Sequence, residues 1–286
     1  METGEKKKKK GLKITAIVLA SVVFFCVVLA LAAEIATRIT DRWRPWKPNY
    51  GALSQAEMNA LLAKDELTAE DYATLYAQTG LTKLGIDGLL AEGNKRQILR
   101  IQSDYFADYK CTAERFAPYT CWEKIDGFVG LCALEPGDII VTDATHVVCW
   151  RFGHAGLVLS ASGDMAESFG IGTVSAVSDA SVFQDYASFM VLRPKVSAEK
   201  KAEITAYARK NLIGLPYRVA AGVLSKKNPK KAKGTQCAHL VWYAYKKFGI
   251  DLDSNGGGVV KPQDMANSPY VEVVQVYGFD PERLWR

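Results

Sequence analysis

The sequence has few of the residues that metal or nucleic-acid sites require. Its three histidines and six cysteines form no Cys-x-x-Cys and no His-x-x-x-His, so no familiar zinc-ligand spacing is present. No cofactor or metal is expected. The net charge of +5 is small and uneven, concentrated in Lys6–Lys10 and in the run from Lys226 to Lys233. No basic stripe is interleaved with aromatics, which argues against a nucleic-acid partner. Internal repeats and collagen-like periodicity are also missing. The 49% hydrophobic and 23% charged content of 286 residues is an ordinary globular mixture, enough for one large domain or two small ones.

Long apolar runs are scarce as well, with one exception. Ile14 to Ala33 is uncharged, roughly the 20 residues a helix needs to cross the hydrocarbon core. Lys6–Lys10 and Lys13 precede it, and lysines on that side place the N-terminus in the cytoplasm. The rest of the chain is then extracytoplasmic. A cleaved signal peptide ending at Ala30-Leu31-Ala32 is the other possibility, but the run exceeds the usual apolar length of such signals. The organisation expected is a basic tail over 1–13, a single-pass membrane anchor over 14–36 and a linker over 37–53. A helical prelude over 54–133 and a catalytic domain over 134–286 follow. Arg42-Trp43-Arg44-Pro45-Trp46-Lys47-Pro48 reads as an interfacial collar stiffened by prolines.

In the prelude, Ser54 with Glu57 and Thr68 with Asp71 have capping-box spacing, and Gly80 is a helix stop. Further helices are expected from Gly85 to Gly93 and from Ile98 to Phe106. From Glu135 the pattern changes to short β-prone runs: Asp138–Thr142, Val147–Trp150, Ala155–Leu159, Met165–Ser168, Thr173–Val177, Phe189–Arg193 and Val271–Val276. Helices are expected over Ala198–Asn211, Cys237–Phe248 and Pro262–Ala266. A small antiparallel sheet with helices makes the class α+β.

Two segments carry chemistry. Gly234-Thr235-Gln236-Cys237-Ala238-His239 puts a cysteine where a helix begins, and Gly153-His154-Ala155-Gly156 puts a histidine where a strand begins. Gly153 is expected to leave room around the imidazole. A thiolate is the reactive form, and a helix N-terminus and a histidine both favour it. Backbone N–H groups at the helix start supply an oxyanion hole. On spacing alone, a cysteine opening an apolar helix is more often a buried core residue. His146 sits in a turn and reads as a surface group. His239 lies two residues after Cys237, which on a helix points it away and makes it a poor base, although it can line the same cleft. The imidazole needs an orienting polar group, for which Glu167, Asp164 and Asp179 are candidates. Glu167 is preferred, because a hairpin around Ser160–Asp164 brings it across from the His154 strand. Tyr217, in Gly214-Leu215-Pro216-Tyr217, contributes a hydroxyl or ring to the cleft, or else packs on the next helix. The Lys226–Lys233 loop is a solvated segment able to attract anions.

Cys111, Cys121, Cys132 and Cys149 are an even set in an exported domain. Either they form two disulfides, which proximity would pair as Cys111–Cys121 and Cys132–Cys149, or they are four buried free thiols.

Taken in order, Gly-His-Ala-Gly-Leu-Val-Leu, Glu167, Gly-Leu-Pro-Tyr, Gln-Cys-Ala-His-Leu-Val-Trp-Tyr-Ala-Tyr and the closing Val260-Lys261-Pro262-Gln263-Asp264 with Ser268 resemble the YiiX-like hydrolases. Those are circularly permuted relatives of NlpC-type cell-wall peptidases with a papain-like fold. The resemblance covers about Leu134 to Ser268. It implies a permuted papain-like fold, in which histidine precedes cysteine, with Cys237 as nucleophile, His154 as base and Glu167 as orienting residue. Tyr217, Gln236 and His239 are then the substrate-contacting neighbours. Gln236 stands where an aromatic is common, and His239 where a carboxylate or glycine is common. The Cys-x-His core is instead similar to the lecithin retinol acyltransferase group, which moves acyl chains on lipids. The function expected is a membrane-anchored cysteine hydrolase cleaving amide bonds of peptidoglycan peptides. Lipid or N-acyl amide chemistry at the same site is the alternative, and a non-catalytic wall-binding scaffold a second one.

Overall fold

The computed structural model describes residues 2–40, 43–112, 119–147, 150–219, 221–222 and 225–285, and for 2–12, 36, 37, 39 and 40 the helical backbone alone. Helix α1 spans Glu2–Thr40. Within it Lys13–Ile35 is long and apolar enough to cross a membrane, and its apolar side chains are exposed. Arg42 of the expected collar lies outside the described residues.

Four short helices follow: α2 (Gln55–Leu62), α3 (Ala69–Thr79), α4 (Lys83–Ala91) and α5 (Lys95–Phe106). Ser54 and Glu57 form a reciprocal capping box on α2, as Thr68 and Asp71 do on α3. Gly80 ends α3 in the left-handed region, φ 69°, which only glycine adopts without steric cost. The segment expected to be wholly helical prelude then turns to β1 (Cys111–Thr112), β2 (Cys121–Trp122) and β3 (Lys124–Ile125).

Among the described residues, eight strands and three helices follow: β4 (Ile139–Thr142), β5 (Thr145–Val147), β6 (Trp150–Arg151), β7 (His154–Val158), β8 (Asp164–Glu167), β9 (Ala176–Asp179), β10 (Phe189–Pro194), α6 (Ala198–Asn211), α7 (Cys237–Lys246), α8 (Pro262–Ala266) and β11 (Val271–Tyr277). A 3-10 turn, Ala180–Phe183, follows β9. The main sheet has the order β11-β10-β4-β7-β8-β9, and every neighbouring pair is antiparallel. Two smaller sheets pair β1 with β3 and order β2-β5-β6. The protein is thus mixed α+β with antiparallel sheets.

The period-2 alternation of strand side chains explains how one sheet serves two cores. Ile139, Val141, Ala155, Leu157, Met190 and Leu192 pack with Ile204 and Ala208 of α6 and Leu240 and Val241 of α7. Ile140, Val158, Met165, Phe189 and Val191, on the opposite face, pack with Leu75, Ile86, Ile98 and Ile101 of the four early helices. The prelude helices therefore cover one face of the sheet, and α6 and α7 cover the other.

Neither proximity-based disulfide forms. Cys111 and Cys132 are free thiols, and Cys149 lies outside the described residues. Cys132 packs inside the core beneath the early helices, with its backbone N–H donated to Gln275 (2.7 Å). Burial pushes its thiol pKa well above the ordinary value.

Gly153 adopts a backbone conformation that favours glycine and sits where the chain is tightly approached. Its φ is +75°, and a Cβ there would lie 2.6 Å from the Thr142 carbonyl oxygen and 2.8 Å from the Trp285 ring. The glycine permits the close approach of β4 and of the Trp285 ring. Gly153→Ala should lower stability by about 1–3 kcal/mol, read as a shift in the denaturant midpoint at unchanged slope.

Candidate active site

Cys237 is the first residue of α7, with Gln236 as its N-cap. The Gln236 side-chain oxygen accepts from the Ala238 N–H (3.0 Å) and from the Cys237 thiol (3.3 Å). Its amide nitrogen donates to the Val260 carbonyl (2.8 Å). Gln236 thus ties the helix start to the loop before α8, an anchoring contact that fixes where the sulfur sits. A short parallel bridge between Tyr217 and Thr235, with Arg218 N–H to Thr235 O at 2.7 Å, holds the preceding strand-like segment.

His154 is the first residue of β7. With Leu157 opposite Ala166 and Val158 opposite Met165, His154 and Glu167 fall on the same face of adjacent strands. The expected hairpin therefore delivers the carboxylate to the imidazole: Nε2 of His154 lies 2.8 Å from Glu167 Oε2. Cys237 lies close enough to the His154 ring to act on its charge, while its thiol is directed at Gln236 Oε1. Glu167 accepts a second hydrogen bond from the Ser178 hydroxyl on β9. His154 and Glu167 are both almost completely buried.

Burial alone would depress the His154 pKa. The hydrogen bonds and charges of Cys237 and Glu167 outweigh it and push the imidazole up to about 9. The folded value lies above the ordinary one near 6.5. The stability this contributes is therefore complete below about pH 6.5 and is lost as pH rises through about 9. The thermal midpoint should fall across that window, and His154→Ala should flatten the fall. Tyr217 is raised by burial first and then by the neighbouring Cys237, so its hydroxyl stays protonated.

Sequence reasoning missed an aromatic cage. Trp122 meets the His154 ring edge-on, with centroids 5.0 Å apart. Phe169 and Phe183 stack against it at 5.6 and 5.9 Å. These residues come from three separate elements, and nothing in their local sequence pointed to the imidazole.

A groove of about 180 Å³ opens beside the thiol, lined by Cys237, Gln236 and Tyr217 among others. His239 does not line it. Its Nε2 meets the Lys227 carbonyl (2.8 Å), and its Nδ1 meets the Thr235 hydroxyl (3.0 Å). It stacks on Tyr243, and burial lowers its pKa. His239 is a neutral strut beneath the basic loop. That loop is not wholly solvated, because Lys227 is folded in against Asp253 and Trp242.

The other orienting candidates are elsewhere. Asp164 pairs with Arg209 (2.9 Å), and Asp179 caps the 3-10 turn through the Ser181 N–H. His146 is buried, not on the surface. Its Nδ1 lies 2.6 Å from Glu123, which also binds Arg151 in a two-point contact. Among the described residues, no group of three or more His, Cys, Asp or Glu is placed to hold a metal ion.

Among curated proteins the chain is similar to the uncharacterized protein YycO of Bacillus subtilis (strain 168), 29% identical over 140 residues. The match covers 48% of this chain and 54% of that protein, so the chain spans about half the length of this relative. No known protein family matches, and no solved structure matches.

Proposed function

We infer that the protein is a membrane-anchored thiol hydrolase of amide or ester carbonyls, a YiiX-like enzyme with a permuted papain-like arrangement. The observation that carries this is the buried line Cys237–His154–Glu167, opening on a groove. A papain-like permutation accounts for the order His154, Glu167, Cys237 along the chain. The distant likeness to YycO is compatible with such a family.

An imidazolium beside a thiol favours the nucleophilic thiolate. In the reaction, sulfur of Cys237 bonds to the carbonyl carbon, and the electron pair moves to the carbonyl oxygen. The N–H of Cys237 and the Tyr217 hydroxyl are the donors available to that oxygen. Collapse breaks the bond to nitrogen or oxygen, and the leaving group takes the proton from His154. Water then attacks the thioester and returns a proton to His154, and the thiolate departs as the carboxylic acid is released. Glu167 keeps the imidazole oriented and charged, and Ser178 holds Glu167. The expected orientation, with the N-terminus cytoplasmic and the catalytic domain outside, belongs to this proposal too.

The test uses the full chain in detergent micelles. Incubation with wall peptides, N-acyl amides and short esters should leave an acyl adduct on Cys237, detected by mass spectrometry. Iodoacetamide near neutral pH should alkylate Cys237 ahead of Cys111, whose thiol burial raises. A Cys237 that forms no adduct and alkylates no faster than Cys111 would support the scaffold alternative instead.

A further inference from the structure

The groove beside Cys237 is built from apolar side chains. Val147, Trp150, Phe152, Ile171, Val219 and Val259 line it, and Lys261 is the one charged lining residue among those described. A stem peptide carries carboxylates and amines, and this lining offers them little. The apolar surface does not stop at the groove. Ile171 is 82% exposed, Trp150 56% and Val219 49%. Val174, bridged to Pro216 beside Tyr217, is exposed as well. Large apolar side chains grouped around a groove mouth mark an interaction surface, whereas scattered ones do not.

The chain itself indicates what covers them. The Trp43 ring lies under the Arg151 guanidinium at 3.9 Å. Arg151 is on β6 beside Trp150, and it pairs with Glu123, which His146 of β5 holds in turn. The collar after the apolar helix is therefore docked on the small sheet that forms one wall of the groove. From Ile35, where the apolar span ends, to Trp43 is eight residues, a reach of at most about 28 Å. The cations Arg218 and Lys261 are exposed at the same place, next to Val219 and within the groove lining respectively. Apolar side chains with cations beside them match an anionic bilayer surface.

We propose that the mouth of the groove, with Trp150, Ile171 and Val219 on its rim, rests in the membrane to which α1 anchors the chain. The substrate is then a bilayer-resident lipid with a long-chain acyl amide or ester, whose acyl chain lies in the groove and whose carbonyl meets Cys237. This rests on the thiol-hydrolase reading for its chemistry, but the docking surface can be tested apart from it.

The full chain is reconstituted into vesicles of phosphatidylcholine and phosphatidylglycerol, with and without brominated acyl chains. Brominated lipid should quench part of the tryptophan emission, and the quenched part should shrink in Trp150→Phe. Quenching identical in the two proteins would overturn the docking, whatever the activity. The second measurement compares N-palmitoyl and N-acetyl amides of one amine in the same vesicles, with soluble muropeptides alongside. The palmitoyl amide should turn over at least about tenfold faster, since many methylenes leave water on binding. Ile171→Asp should shrink that preference to about threefold or less. Preference for the acetyl amide or the muropeptide would overturn the lipid substrate and leave the thiol chemistry standing. No turnover of any of the three would overturn the thiol hydrolase and the lipid substrate together, with quenching still deciding the docking.

Discussion

Cys237→Ala should abolish turnover, lowering kcat by about 10⁴–10⁶-fold, the cost of removing the nucleophile from a catalytic unit. The substitution removes a single sulfur from a position that is 4% exposed and capped by Gln236. Large-to-small changes of that size cost about 1 kcal/mol or less, so the thermal midpoint should stay within a few degrees. Single-turnover assays with the full chain in micelles, run beside circular dichroism melts, read both quantities. Cys237→Ser keeps the shape and the hydrogen bond but supplies a far weaker nucleophile, and should be almost as inactive. Turnover near the wild-type level in either variant would remove Cys237 from the chemistry.

Glu167→Gln has the second-largest expected effect, a fall in kcat/KM of about 10²–10⁴-fold. The carboxylate touches Nε2 of His154 at 2.8 Å, and its charge is part of what lifts that imidazole to about 9. Glutamine preserves the volume and the Ser178 contact but removes the charge. The imidazolium then loses support, and burial, which lowers the His154 pKa, gains weight. The limb of the pH–rate profile that reports His154 should move to lower pH. Glu167 acts through His154 and not on substrate, so KM should change much less than kcat. A pure loss of rate with an unshifted pH profile would make Glu167 merely a structural residue. Ser178→Ala should reproduce a milder version of the same shift, because Ser178 donates to the other Glu167 oxygen.

Local chemistry explains which parts of the fold were legible beforehand. The capping boxes of Ser54 and Thr68, the Gly80 stop and the spans of α6 and α8 depend on neighbours three or four residues away, and each stands where the sequence placed it. The β-prone runs Asp138–Thr142 and Ala155–Leu159 point to strands for the same reason, and strands form there. Two of the misplacements involve distant partners, and a third is a local turn. His146 reads as a turn residue in the sequence, yet it is buried, where Glu123 from between β2 and β3 meets its ring and Arg151 of β6 pairs with that Glu123. The pairing guessed for Cys132 failed because that segment packs beneath the early helices. Thr173–Val177 was read as a strand, whereas Thr173 closes a turn onto Gly170 and the strand begins at Ala176.

The sequence by itself determined an apolar N-terminal span, an α+β alternation, and a histidine and a cysteine each opening its own element. Those features need only composition and a periodicity of 2 or 3.6 residues. The tertiary structure alone decided that Cys237 comes beside His154, that Trp122, Phe169 and Phe183 enclose the imidazole, and that His239 supports the loop and stays out of the groove. It also decided that Trp43 docks beside the groove wall. Each of these joins residues far apart in the chain, where the gain from burial and paired charge must exceed the entropy of closing a long loop. No local pattern records that balance.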